Sequence, residues 1–127
     1  MSQENVEIMR RLYQSNAQQA LVDLLADECV WISNPKMPGG GRYTGKEAVR
    51  RYLDGMLVFE DGTIEVHEII DLGDRALGIT TFRARAPDGP TTEWLWCHLV
   101  VFRNGSITEF RSFLDRESAL EAAGPRE

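Results

Sequence analysis

The sequence is short of several things, and each shortage removes a class of function. Only two cysteines, Cys29 and Cys97, occur in 127 residues, so this is no disulfide scaffold. In a reducing compartment both read as small buried hydrophobes. No stretch approaches the roughly 18 uninterrupted apolar residues of a membrane helix, and the start Met1-Ser2-Gln3-Glu4-Asn5 is polar and acidic, unlike a signal peptide. A cytoplasmic location is expected. Basic residues are outnumbered, 14 Lys and Arg against 20 Asp and Glu, for a formal charge of −6. Such a chain has no basic footprint for phosphates, so neither nucleic acid nor an anionic membrane surface is an expected partner.

Chemical motifs are sparse as well. The two histidines, His67 and His98, and the two cysteines show no metal-ligand spacing. Gly-x-Ser-x-Gly is missing. Gly39-Gly40-Gly41 lacks both the preceding strand and the following Lys-Ser/Thr of a phosphate loop. No metal, nucleotide or other cofactor is expected.

What is present is an ordinary soluble composition, 43% hydrophobic and 27% charged, in a chain of the length of one domain, residues 1–127. Val6, Ile8, Met9, Leu12 and Tyr13 recur at helical spacing, and a short second helix is expected from Gln18 to about Leu25. Cys29 to Ser33 reads as a strand, and Asn34 to Gly41, rich in proline and glycine, as a loop. Thr44-Gly45-Lys46-Glu47 has capping-box spacing. Behind it Ala48, Val49, Tyr52, Leu53 and Met56 form one stripe, so a helix from Gly45 to about Leu57 is predicted. Four β-rich runs follow, Thr63–Asp71, Arg75–Ala86, Thr91–Arg103 and Ser106–Leu114. A last helix starts after Asp115, a capping residue, and stops at Gly124-Pro125.

Asn104-Gly105 is the strongest hairpin signal, because both central positions of a type I′ turn need positive φ. It also explains an Asn-Gly-Ser sequon without glycosylation. An unbroken ladder from that turn pairs Arg103 with Ser106 and then, all on one face, Phe102 with Ile107, Val100 with Glu109, His98 with Arg111, Trp96 with Phe113 and Trp94 with Asp115. The other face carries Leu95, Cys97, Leu99 and Val101 against Leu114, Ser112, Phe110 and Thr108. The first face mixes aromatic and polar groups, as ligand pockets do. The second lacks chemistry and suits a homodimer interface. In this register Ser112 points away from His98, which disfavours a Ser-His-Asp set.

Several segments together carry a resemblance. They are the amino-terminal helices, the Val30-Trp31 strand, the loop leading to Tyr43-Thr44-Gly45-Lys46-Glu47-Ala48-Val49-Arg50, the Phe102-Arg103-Asn104-Gly105-Ser106-Ile107 hairpin, and Ser118-Ala119-Leu120-Glu121-Ala122-Ala123-Gly124. Over nearly its whole length the chain resembles a SnoaL-like protein of the nuclear transport factor 2-like superfamily. The resemblance implies an α+β fold, a cone made by a strongly curved, mostly antiparallel sheet closed by N-terminal helices around one internal pocket, and often a dimer. The superfamily includes polyketide cyclases and isomerases alongside pockets with no known chemistry, so function must be argued from the site.

Compared with the ketosteroid isomerases of that superfamily, Asn34 before Pro35 stands where their general-base aspartate would, and an amide cannot take a proton from carbon at neutral pH. Their donor acid falls on His98 and their donor tyrosine near Tyr13. His98, the one histidine on the mixed face, and Arg111, its partner in that ladder, are the expected catalytic pair. His98 would act as acid, base or donor in a ring kept neutral by Arg111 and the aromatics. Arg111 either binds an enolate or carboxylate or pairs with Asp115. Tyr13, Trp31, Asn34, Tyr52, Trp94, Trp96, Phe113 and Asp115 are the expected substrate-binding residues, although sheet-face aromatics also serve as core and Asn-Pro also opens turns. The ligand expected is a small hydrophobic molecule, either the carbonyl or polyketide-like substrate of a cyclisation, isomerisation or dehydration, or the guest of a non-catalytic binding or dimeric accessory module.

Overall fold

The computed structural model of the chain describes residues 2–15, 18–36, 40–55, 60–85 and 89–124. Helices α1 (Ser2–Ser15) and α2 (Gln18–Leu24) lead into β1 (Leu25–Ser33). Then come β2 (Gly41–Thr44), α3 (Lys46–Gly55), β3 (Glu60–Asp71), β4 (Arg75–Arg85), β5 (Thr91–Arg103), β6 (Ser106–Phe113) and α4 (Arg116–Ala123). All six strands join one open sheet in the order β2-β1-β6-β5-β4-β3. Every neighbouring pair is antiparallel except β1 with β6. The expected strand runs are recovered within a few residues, and β2, inside what reads as loop and helix start, is the addition. Met56 and Leu57, expected to end α3, lie outside the described residues.

The helices divide between the two faces, and each face has its own core. On the inner face Met9 of α1, Val22 of α2, and Val49, Tyr52 and Leu53 of α3 close over Cys29, Trp31, Ala76, Val100, Phe102, Ile107 and Phe110. On the outer face Ala119 and Ala123 of α4 pack on Ile70, Leu77, Ile79, Cys97 and Leu99. Cys29 and Cys97 are buried, free and on opposite faces. Away from α4 the outer face turns ionic, with Arg83 bridging Glu65 and Glu93 across three strands. Among the described residues, no helix is long and apolar enough to cross a membrane.

Local chemistry sets the ends of these elements. Asp115 caps α4, its carboxylate accepting from Ser118 N at 2.7 Å and Ser118 Oγ at 2.9 Å. Gly124 closes the same helix at φ 78°. Glu47 reaches Arg50 along its own helix.

The last hairpin departs from the expected ladder. Its turn is as expected, with Asn104 at φ 53° and Gly105 at φ 80°, and Arg103 opposes Ser106 and Phe102 opposes Ile107. One step later the register slips, so that Val101 opposes Glu109, Val100 opposes Phe110, Leu99 opposes Arg111, His98 opposes Ser112 and Cys97 opposes Phe113. Thr108 is the extra residue, a β-bulge whose hydroxyl donates to Val101 O. Because side chains alternate, one added residue exchanges the faces of all that follow it.

The turn offers a direct test. A side chain in the left-handed region costs about 1–2 kcal/mol. Gly105→Ala should therefore lower the unfolding free energy by about 1 kcal/mol, read as a drop in urea midpoint at unchanged slope. An unchanged midpoint would contradict the type I′ assignment.

Candidate functional site

The bulge decides what the hairpin presents inward. Phe110 and Ser112 of β6 join Trp94, Trp96, His98 and Val100 of β5, while Arg111 and Phe113 go to the outer face. Several expectations are corrected here. Arg111 is not the partner of His98, since it opposes Leu99 and lies with its guanidinium carbon 5.4 Å from the centroid of the Phe113 ring. Phe113 is not a wall of the site, because it packs with the α4 cluster. Asp115 is a helix cap rather than a ligand-binding group. Ser112 shares a face with His98, so the argument that separated them fails, although no Gly-x-Ser-x-Gly turn activates it.

His98 sits in the middle of the inner face at 2% exposure, and Tyr13 of α1 reaches down to it, with Oη 2.8 Å from Nδ1. The ring is held edge-on to Trp96 at 4.4 Å and against Phe110 at 5.0 Å between centroids. Burial among apolar neighbours disfavours the imidazolium and lowers the pKa of His98 to about 3. The ring is neutral as expected, but burial is the cause, because Arg111 is on the other side of the sheet. The same burial pushes the Tyr13 hydroxyl far above its usual pKa, so it keeps its proton.

Aromatic rings form the walls on both sides of this pair. Trp31 of β1 stacks on Phe110 with centroids 3.9 Å apart and planes within 3°. Tyr52 of α3 tilts against Trp31 and Tyr43, and its hydroxyl shares a 2.7 Å hydrogen bond with buried Ser33 Oγ. Trp94 and Trp96 both contact Phe82 of β4. Thr80, fully buried across the ladder from Trp96, donates to Trp96 O at 2.6 Å. Asn34 stands where β1 ends. Its backbone N–H donates to Ser112 Oγ at 3.0 Å, and its Oδ1 accepts from Lys36 N at 2.9 Å, so the side chain serves the turn.

The structure thus brings together Tyr13, Trp31, Tyr52, Trp94, Trp96 and His98 of the expected set, with Asn34 at the edge. Ser33, Gly78, Thr80, Phe82, Phe110 and Ser112 are inner-face residues the sequence reading did not single out. For Phe110 and Ser112 a signal existed: the unbroken ladder turned Glu109 and Arg111 inward, two charges on an apolar face, whereas a slip of one exchanges them for Phe and Ser. Among the described residues no three His, Cys, Asp or Glu side chains gather as a metal site.

A family model for the SnoaL-like domain matches residues 6–110. The chain belongs to the SnoaL-like family. An NTF2-like protein of unknown function from Burkholderia pseudomallei is 18% identical, with a TM-score of 0.77 over 98% of each chain. TerC, co-crystallised with polyporic acid, is also 18% identical, with a TM-score of 0.74 over 95% of this chain and 98% of its own. A protein of ketosteroid isomerase-like fold from Catenulispora acidiphila, in complex with trimethylamine, is 17% identical, with a TM-score of 0.73 over 93% and 92% of the two chains. Likeness at these identities shows the fold. No curated protein matches the sequence.

In this SnoaL-like chain the buried imidazole makes folding pH-dependent. The folded-state pKa is about 3, and an unfolded histidine titrates near 6.5. Between those values the unfolded chain binds the extra proton. The contribution of His98 is therefore complete above about pH 6.5 and is lost as pH falls towards 3, at no more than about 1.4 kcal/mol per pH unit. Urea unfolding from about pH 7.5 down to about pH 4.5 should show this slope in the native protein and a flatter one in His98→Gln. Equal slopes would mean that the ring charges without unfolding.

Proposed function

We propose that the inner face of this SnoaL-like protein binds a small, flat, hydrophobic molecule bearing a carbonyl oxygen, and that the Tyr13–His98 pair meets that oxygen. The observation that carries the reading is a hydrogen-bonded polar pair set in a wall of Trp31, Trp94, Trp96, Phe82 and Phe110. Aromatic rings supply apolar contact, and a few fixed polar groups supply orientation. Tyr13 occupies the Nδ1 side of the imidazole, which leaves Nε2 as the ring atom offered to a ligand. The sparse polar lining matches a ligand with little to hydrogen-bond.

Proton-transfer catalysis, namely cyclisation, isomerisation or dehydration, is the second reading, supported by the same pair. Asn34 withholds a carboxylate from the position of the isomerases' base, and a histidine with a pKa of about 3 is a weak base. The chemistry best suited to such a site acts on a substrate whose C–H is already acidic, with the pair polarising the oxygen as charge develops. A homodimer belongs to the same proposal, through the partly buried Leu72, Leu95 and Phe113 at the margin of the α4 cluster. Light scattering at micromolar concentration reads it.

All three tryptophans of the chain lie on the inner face, so intrinsic fluorescence reports directly on occupancy. Titration with a panel of aromatic ketones and quinones should quench it saturably. His98→Ala and Tyr13→Phe should each weaken binding by about tenfold, the scale of one hydrogen bond in an apolar site, while Arg111→Ala should leave it within about twofold. Affinity untouched by both His98→Ala and Tyr13→Phe would sink the proposal. Consumption of a bound compound that His98→Ala abolishes without loss of binding would select the catalytic reading.

A further inference from the structure

Gly78 lies directly across the β4–β5 ladder from His98. Its φ is not positive, so backbone freedom does not explain a glycine inside a strand, where it weakens the sheet. Space does. A Cβ at this position would stand 2.2 Å from Tyr13 Oη and 3.0 Å from both Tyr13 Cε2 and Met9 Cε, well inside contact. The missing side chain is the slot into which the phenol hydroxyl fits, and that fit leaves Oη 2.8 Å from His98 Nδ1.

Proton accounting then chooses between the two neutral forms of the ring. If Nδ1 carries the hydrogen it donates to Oη, and both the tyrosine O–H and the bare Nε2 lack partners. If Nε2 carries it, the tyrosine O–H donates to Nδ1, and the single group left over is Nε2–H. Each unsatisfied buried polar group is costly, so the second arrangement wins by one.

We propose that Gly78 is the positioning residue of the site, and that the Tyr13 hydroxyl it admits holds His98 as the Nε2–H tautomer. The site is thereby a fixed donor, and the atom it recognises is a hydrogen-bond acceptor, a carbonyl or enolate oxygen. The ligand half of this inference rests on the binding reading above, whereas the slot and the tautomer stand without it.

Imidazole ¹⁵N spectra of the ligand-free protein test it. The expected result for His98 is a pyridine-type Nδ1 and a pyrrole-type Nε2. Tyr13→Phe and Gly78→Ala should each lower the ratio of Nε2–H to Nδ1–H forms by roughly fivefold, the equivalent of one hydrogen bond. Should Gly78→Ala fail to fold, the double variant with Tyr13→Phe still decides, because it removes the hydroxyl that the new methyl strikes. The double variant should melt at a higher temperature than Gly78→Ala alone. A pyrrole-type Nδ1 in the native protein, a native tautomer ratio in folded Gly78→Ala, or a double variant no more stable than Gly78→Ala would each overturn the inference. An Nε2–H ring in a protein that binds nothing from the ketone and quinone panel would support the slot and refute the binding reading.

Discussion

The extra residue that Thr108 adds to β6 governs which side chains the last hairpin turns inward. Without it Glu109, Arg111 and Phe113 would face α1 and α3. With it they face outward, and Phe110 and Ser112 take their places beside His98. Phe110 then stacks on Trp31 of the parallel neighbour β1, so the same bulge completes the aromatic wall and joins the two halves of the sheet. Carrying two extra charges into the inner core would cost several kcal/mol apiece, against which a locally broken ladder is a small loss.

Once the charges are outside, most of the polar groups left on the inner face satisfy one another, the indole N–H of Trp96 being buried without a hydrogen-bond partner among the described residues. Tyr13 bonds His98, Ser33 bonds Tyr52, Ser112 accepts from the Asn34 backbone, and Thr80 donates to Trp96 O. Each of these pairs joins different elements, so each also fixes a relative position: α1 over β5, α3 over β1, the end of β1 over β6. The hydrogen bonds that make burial affordable thus also align the helices on the sheet.

Much of this was legible in the sequence because it is written in local signals. The Asn104-Gly105 turn, the Asp115 cap, the Gly124 stop and the helical stripe of Val49, Tyr52 and Leu53 each depend on a few adjacent residues. Of the site, His98, Tyr13 and the tryptophans could be found from residue type and alternation. Gly78 could not, because its reason is a side chain from 65 positions earlier, as the 2.2 Å approach of Tyr13 Oη makes plain. The Arg111 assignment failed at a single point. Turn chemistry sets where a ladder begins, but a bulge is a nonlocal compromise between strand pairing and burial, and only the burial side of it, the misplaced Glu109 and Arg111, left a trace in the pattern.

Losing Arg111 changes the character of the site more than its shape. A guanidinium on the inner face would have favoured an anionic ligand and offered a strong electrostatic stabiliser for an enolate. Among the described residues, the inner face instead carries neutral donors in apolar surroundings, where a hydrogen bond is worth more than in water and an ionised guest pays heavily for desolvation. Specificity in such a place comes from ring shape and from the placement of one or two oxygens. The slot at Gly78 matters for that reason: with few polar contacts to share the task, the orientation of a single imidazole determines which functional group is accepted, and that orientation is held by one tyrosine hydroxyl.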